Sequence, residues 1–360
     1  MTSASERSIT SLTQQVAALP PDQRATFDTL FHVTCSTGML VPPPEMHSWI
    51  EQAFGAVSAV THQDVVKTLN RWTLEGSLFN GLRAHRPVAG RADAVPASLG
   101  GDGRDPFCTP LTGTPGDTFG RVRGAHVITA SNVAKYDGLH AVVIRNQHHP
   151  LDWSADEVAD ACDTAWRWIQ EAHRTNRTAV YPFLMWNCLP RSGASQLHAH
   201  MQATLGEGGA YGRIEAWRRA ATAYRAQHGR DYFVDFHASH AALGLAGAVG
   251  PVMRLAHLTP VKEKETILIA GSLGPDLYAA LFATLRCLID QLGVQAFNVA
   301  FYLPPLGPVA EDWTEFPVIV RLVDRGDPAS PTSDIGAMEL FAQPVVSFDP
   351  WRLARALAGG

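Results

Sequence analysis

The 360-residue chain is poor in several things, and each shortage excludes something. Its five cysteines, Cys35, Cys108, Cys162, Cys188 and Cys287, are scattered and odd in number. That excludes a disulfide framework and predicts a reducing, cytoplasmic setting. No apolar run approaches the length of a membrane span, and the opening MTSASERSITSLTQQ has no apolar core after a basic start. The sequence therefore predicts neither a membrane partner nor a signal peptide. Charge is sparse, at 18% of residues with a formal net of −5, which argues against bulk nucleic-acid binding and makes any nucleotide a small ligand. Several catalytic signatures are missing. Gly193-Ala194-Ser195-Gln196-Leu197 lacks the closing glycine of a serine-hydrolase elbow, and no H-E-x-x-H occurs. No internal repeat or long low-complexity segment is visible.

What is present suits a soluble globular protein of two halves, with 46% hydrophobic residues. The most informative stretch is residues 187–202, NCLPRSGASQLHAHMQ. Its front is small and polar, and two histidines and a glutamine follow. If the end is extended, His198, His200 and Gln202 point to one side. A neutral imidazole can attack phosphorus and carry a group covalently. Gly193 lets a backbone approach closely, while Ser192, Ser195 and Gln202 offer donors to phosphate oxygens. His-x-His by itself admits three readings: a nucleophile, a metal site, or ordinary polar lining. A cupin-type metal site also wants a glutamate a few residues on, and Glu207 comes too late.

Residues 1–65 read as a helical extension, with Ile9, Leu12, Val16 and Leu19 at helical spacing. Arg83-Ala84-His85-Arg86-Pro87 offers two guanidinium forks suited to phosphates. Residues 125–129, 141–144 and 179–186 read as strands. Ser154 and Glu157 form a capping box ahead of a helix whose buried face is Val158, Cys162, Trp166 and Ile169. In the second half, residues 252–256, 265–270 and 297–303 read as strands, with a leucine-rich helix from Leu277.

The string N-x-x-x-x-S-G-A-S-x-x-H-x-H-x-Q resembles the active-site signature of the histidine-triad superfamily. It is most similar to the transferase branch, the galactose-1-phosphate uridylyltransferases and diadenosine-tetraphosphate phosphorylases. The R-A-x-R-P string, the later Asp105-Pro106-Phe107-Cys108 and the closing DIGAMELFAQP follow in that branch's order. Two departures stand out: Ala199 replaces the proline usual between the histidines of uridylyltransferases, and Asp105 replaces the first cysteine of a C-x-x-C pair.

The resemblance implies an α+β fold of two fused histidine-triad-like halves, residues 66–212 and 213–360. Each would be an antiparallel sheet flanked by helices, with the helical extension ahead of them. It implies nucleotidyl transfer from a nucleoside diphosphate sugar or dinucleoside polyphosphate through a covalent nucleotidyl-histidine. His200 would be the nucleophile, with Gln202 and Ser195 holding the phosphate. Arg83, Arg86, Asn187, Ser192, Gly193, Ala194 and Glu339 would bind substrate. Asp105, Cys108, His148 and His198 would bind a structural zinc, by the donor set. The partners implied are a small-molecule nucleotide, a phosphorylated acceptor and a second copy of the chain in a homodimer. A hydrolase, phosphorylase or lyase built on the same histidine, and a non-catalytic nucleotide-binding protein, are the alternatives.

Overall fold

The computed structural model describes residues 7–85, Leu99 and residues 104–359. Thirteen strands form two sheets among these residues. The smaller sheet has the order β1 (Phe31–Met39), β2 (His62–Asn70), β3 (Gly76–Phe79) and β13 (Val345–Val346), parallel only at the last pair. The larger has nine strands: β4 (Val127–Ser131), β5 (Leu139–Arg145), β6 (Tyr181–Cys188), β7 (His200–Gly206), β8 (Ala246–Val249), β9 (Val252–Ala256), β10 (Glu263–Ala270), β11 (Phe297–Tyr302) and β12 (Val318–Asp324). Their spatial order is 4-5-7-6-11-12-10-9-8, and every pair is antiparallel.

That order contains a repeat of connectivity. β4, β5, a long helix, β6 and β7 lie as 4-5-7-6; β9, β10, a long helix, β11 and β12 lie as 9-10-12-11. The two sets meet back to back where β6 pairs with β11. The two sheets expected of the halves are thus one continuous sheet.

One face of this sheet carries the core. Along β6, Leu184, Trp186 and Cys188 are buried on one side and alternate with Phe183, Met185 and Asn187 on the other. The helices Ala155–Thr175 and Pro275–Arg286 pack together and cover the buried side. The first forms because Val158, Ala161, Cys162, Ala165, Trp168, Ile169 and Ala172 recur every three or four residues. Its start is fixed by the capping box of Ser154 and Glu157, and His173 and Arg174 favour its last turn. Trp168 is fully buried, so Trp168→Ala removes about 3–5 kcal/mol of stability. The opposite face is open only along its middle, where Phe183, Met185 and Asn187 of β6 and Asn298 and Ala300 of β11 are half-buried.

The extension is helical only in part. Helices Leu12–Ala17 and Pro21–Leu30 form, but Phe31 begins β1. Strand β1 is mostly exposed and lacks an alternating apolar pattern. Pairing with β2 from Phe31↔Asn70 to Met39↔His62 holds it extended. A boundary at residue 65 also falls inside β2. The small sheet docks on the second half: Thr68 Oγ1 donates to the Leu258 carbonyl at 2.6 Å, and Ser77 Oγ to that of Pro260 at 2.7 Å.

Candidate functional site

In the first half, the face away from the helices gathers the predicted histidines. His200 opens β7 opposite Ile144, and Gln202 faces Val142. His198, expected in the strand, lies two residues ahead of it. His200 Nδ1 lies 2.7 Å from the His198 carbonyl, so its N–H donates there. In the neutral ring this leaves the lone pair on Nε2. The ring is 5% exposed and sits edge-on to Phe107 at 5.2 Å. Burial lowers its pKa and outweighs the hydrogen bond to the His198 carbonyl, which raises it. His200 is therefore held neutral, with the Nε2 lone pair uncommitted.

His198 is held differently. Its Nε2–H donates to the Arg145 carbonyl at 2.7 Å, leaving the Nδ1 lone pair 3.5 Å from Cys108 Sγ. Burial keeps this ring neutral as well. The Arg145 backbone is anchored through its own side chain. The guanidinium pairs with Glu157 at 2.6–2.9 Å and donates to the His149 carbonyl at 3.0 Å. Glu157 is also the capping residue of the helix. Helix start, buried ion pair and imidazole form one chain of support.

Cys108, His148 and His198 bring their ligand atoms within 4.8 Å of one another, compatible with a metal such as Zn²⁺. His148 Nδ1–H donates to the Leu99 carbonyl at 2.8 Å, so its Nε2 lone pair is uncommitted. Both histidines thus spend their N–H on backbone carbonyls and turn the other nitrogen toward the sulfur. Tetrahedral zinc with ordinary Zn–S and Zn–N bonds separates S from N by about 3.6 Å. The 3.5 Å between Cys108 Sγ and His198 Nδ1 fits. Asp105 stands just outside this group, its Oδ2 3.8 Å from His148 Nε2. Its Oδ1 caps the turn by accepting the Phe107 N–H at 2.7 Å.

The loop before the strand is a closed turn. Gly193 takes φ +92°, a conformation that favours glycine, and its N–H donates to the Pro190 carbonyl. The Ala194 N–H donates to Leu189, and Ser192 Oγ donates to the same carbonyl at 2.8 Å. The donors expected from these three residues are turned inward; Ser195 is exposed beyond them. Asn187 shares the face of Met185, which pairs with Gln202. It accepts from Asn298 Nδ2 at 2.7 Å, and Arg325 joins Asn298 at 2.6 Å and Asp334 at 2.6 and 2.9 Å.

The remaining predicted residues lie elsewhere. Arg83 is exposed in the turn Gly81–His85, beside an apolar groove lined by Leu40, Trp49 and Ile50. Arg86 lies outside the described residues. Glu339 sits in the short helix Ala337–Phe341. It accepts the Gly336 N–H at 2.8 Å and faces a cavity of about 320 Å³ with Lys262 and Arg325. Sequence reasoning missed His140, Asn132 and Phe107. For His140 a signal existed: it alternates with Val142 and Ile144 on β5, and so belongs to the face of Gln202.

No known family model and no curated protein matches the chain. Solved structures share its fold. An ADP-glucose phosphorylase from Arabidopsis thaliana with bound ADP-glucose superposes with TM-score 0.63 at 14% identity, covering 80% of this chain and 97% of the other. A uridylyltransferase gives 0.57 at 15% identity, over 81% and 96%. A GalT-like protein from Arabidopsis thaliana gives 0.57 at 14%, over 70% and 90%. The chain therefore has the α+β fold of the uridylyltransferase and phosphorylase structures.

Proposed function

We propose that the chain is a nucleotidyltransferase that cleaves a nucleoside diphosphate sugar or dinucleoside polyphosphate through a nucleotidyl-His200 intermediate. The observation that carries this reading is the Nδ1–H of His200 bound to the His198 carbonyl, which leaves Nε2 unprotonated. Nε2 attacks the α-phosphorus, an N–P bond forms, and the P–O bond to the phosphorylated leaving group breaks with its electron pair. A phosphate-bearing acceptor then attacks the same phosphorus and releases the imidazole. Gln202 and Ser195 supply donors to the phosphate oxygens as charge develops.

Cys108, His148 and His198 would hold a structural zinc, with Asp105 the fourth ligand after a side-chain shift. Zinc supplies rigidity: it fixes His198, whose carbonyl orients His200. The second half is read as a second histidine-triad-like unit without a nucleophile, on the repeat of strand order. Asn187 and Glu339, and Arg83 and Arg86 in a homodimer, are read as substrate contacts.

The test is product analysis with ADP-glucose, UDP-glucose, GDP-glucose and diadenosine tetraphosphate, with and without phosphate or a hexose phosphate. Cleavage that depends on a phosphate-bearing acceptor supports transfer. Cleavage by water at the same rate without it makes the chain a hydrolase.

A further inference from the structure

We propose that His140 is a positioning residue for Gln202, fixing which end of its amide faces the transferred phosphate. The inference rests on the functional reading above and extends it to a residue with no place in the sequence motif.

His140 is fully buried on β5, on a face otherwise filled by Val142 and Ile144. A strand core position favours an apolar residue, so a polar ring there must have both nitrogens satisfied. It does. The Tyr136 backbone N–H donates to Nδ1 at 3.0 Å. A backbone amide can only donate, so Nδ1 bears a lone pair and the ring proton sits on Nε2. Nε2 lies 2.9 Å from Gln202 Oε1 and donates to it. Asn132 Nδ2 lies between the two, 3.3 Å from His140 Nε2 and 3.5 Å from Gln202 Oε1, and Asn132 is itself fixed by accepting the Ala134 N–H at 3.1 Å. Tyr136 stacks on the imidazole at 4.7 Å.

The His140 N–H on Oε1 commits that end of the amide and leaves its NH₂ for a ligand. The orientation matters because the two ends act oppositely on a phosphate: NH₂ donates to an anionic oxygen, whereas Oε1 repels it. A backbone N–H thus sets the tautomer of His140, and His140 sets the polarity of Gln202. A merely satisfied core histidine would bond to backbone alone; this one ends on the residue that follows the nucleophile by two positions, on the same strand face.

The test is a double-mutant cycle on transfer activity. His140→Leu lowers kcat about 10- to 100-fold, the range of one hydrogen bond to a charged group, with a smaller change in KM. His140→Gln, which returns a donor near the Nε2 position, recovers most of the loss. In a Gln202→Ala background, His140→Leu costs little more. An equal loss in both backgrounds, or no loss in the parent, overturns the proposal. The tautomer is read separately by ¹⁵N NMR of the wild-type imidazoles, which needs no activity and no folded variant. A proton on Nε2 of His140 is expected, and a proton on Nδ1 overturns the proposal. Absence of transfer in the wild type would instead count against the functional reading.

Discussion

Two regions of one sheet can be compared directly, because the strand order repeats. Gln202 on β7 pairs with Met185, Met185 with Ala300, and Ala300 with Arg321 on β12. Gln202 and Arg321 occupy one row on the same face of the sheet, three strand spacings or about 14 Å apart. Near Gln202 the buried polar side chains on this face are neutral rings, His140, His198 and His200, each with its N–H committed to a neighbour. Near Arg321 they are charged. Arg321 Nε pairs with Glu265 at 2.6 Å and Nη1 with Glu75, brought in by the small sheet, at 2.7 Å. His257 and the Val261 N–H also bind Glu265. Burial alone would raise the Glu265 carboxyl; Arg321 and His257 outweigh it and hold the group well below its usual range. The same scaffold therefore holds neutral imidazoles around Gln202 and a neutralised ion-pair lock around Arg321.

The largest expected effect separates the two. His200→Ala lowers nucleotidyl transfer by about 10⁴-fold or more with the melting transition unchanged, as steady-state rates and calorimetry would show. Arg321→Leu does the reverse. It leaves Glu265 and Glu75 buried without their cation and destabilises by about 3–5 kcal/mol in urea titration, while the folded fraction keeps transferring. Retained stability in Arg321→Leu would break the contrast.

A smaller effect is expected at the metal group. Cys108→Ser lowers bound zinc, by elemental analysis, and reduces transfer about 10- to 100-fold through looser support of His198. Zinc-free wild-type protein with full activity would remove this link.

The smallest effect is in acid. His240, fully buried among Phe31, Phe236 and His257, is held down to about 3 by burial, with the His257 charge adding to it. Its folded pKa lies below its unfolded value, so the unfolded chain binds the extra proton first. Stability is complete above about pH 6.5 and falls by roughly 1.4 kcal/mol per unit below it. Glu265, depressed as a carboxylate, adds to the loss below about pH 4.3. Urea midpoints from pH 7 to 5 would fall, and His240→Phe would flatten that slope.

Local features of the site were legible because local rules set them. The capping box of Ser154 and Glu157 and the alternation of His200 and Gln202 followed from motif and period, whereas the grouping of Cys108, His148 and His198 was implied by the family resemblance. Long-range features were not. β1 is extended through its pairing with β2, and its own pattern gives no sign of burial. The repeated strand order leaves no sequence repeat, since Gln202 and Arg321 share a row but no chemistry. His140 looked like any polar residue on a strand until Tyr136 and Gln202 were seen on its two nitrogens.

The most direct test of the central claim is intact-protein mass spectrometry after brief incubation with the four donors, for wild type and His200→Ala. The account predicts an acid-labile gain of one nucleoside monophosphate with at least one donor, absent in His200→Ala. A stable gain of the same mass in His200→Ala, or transfer by the wild type with the adduct mapped to another residue, would contradict it.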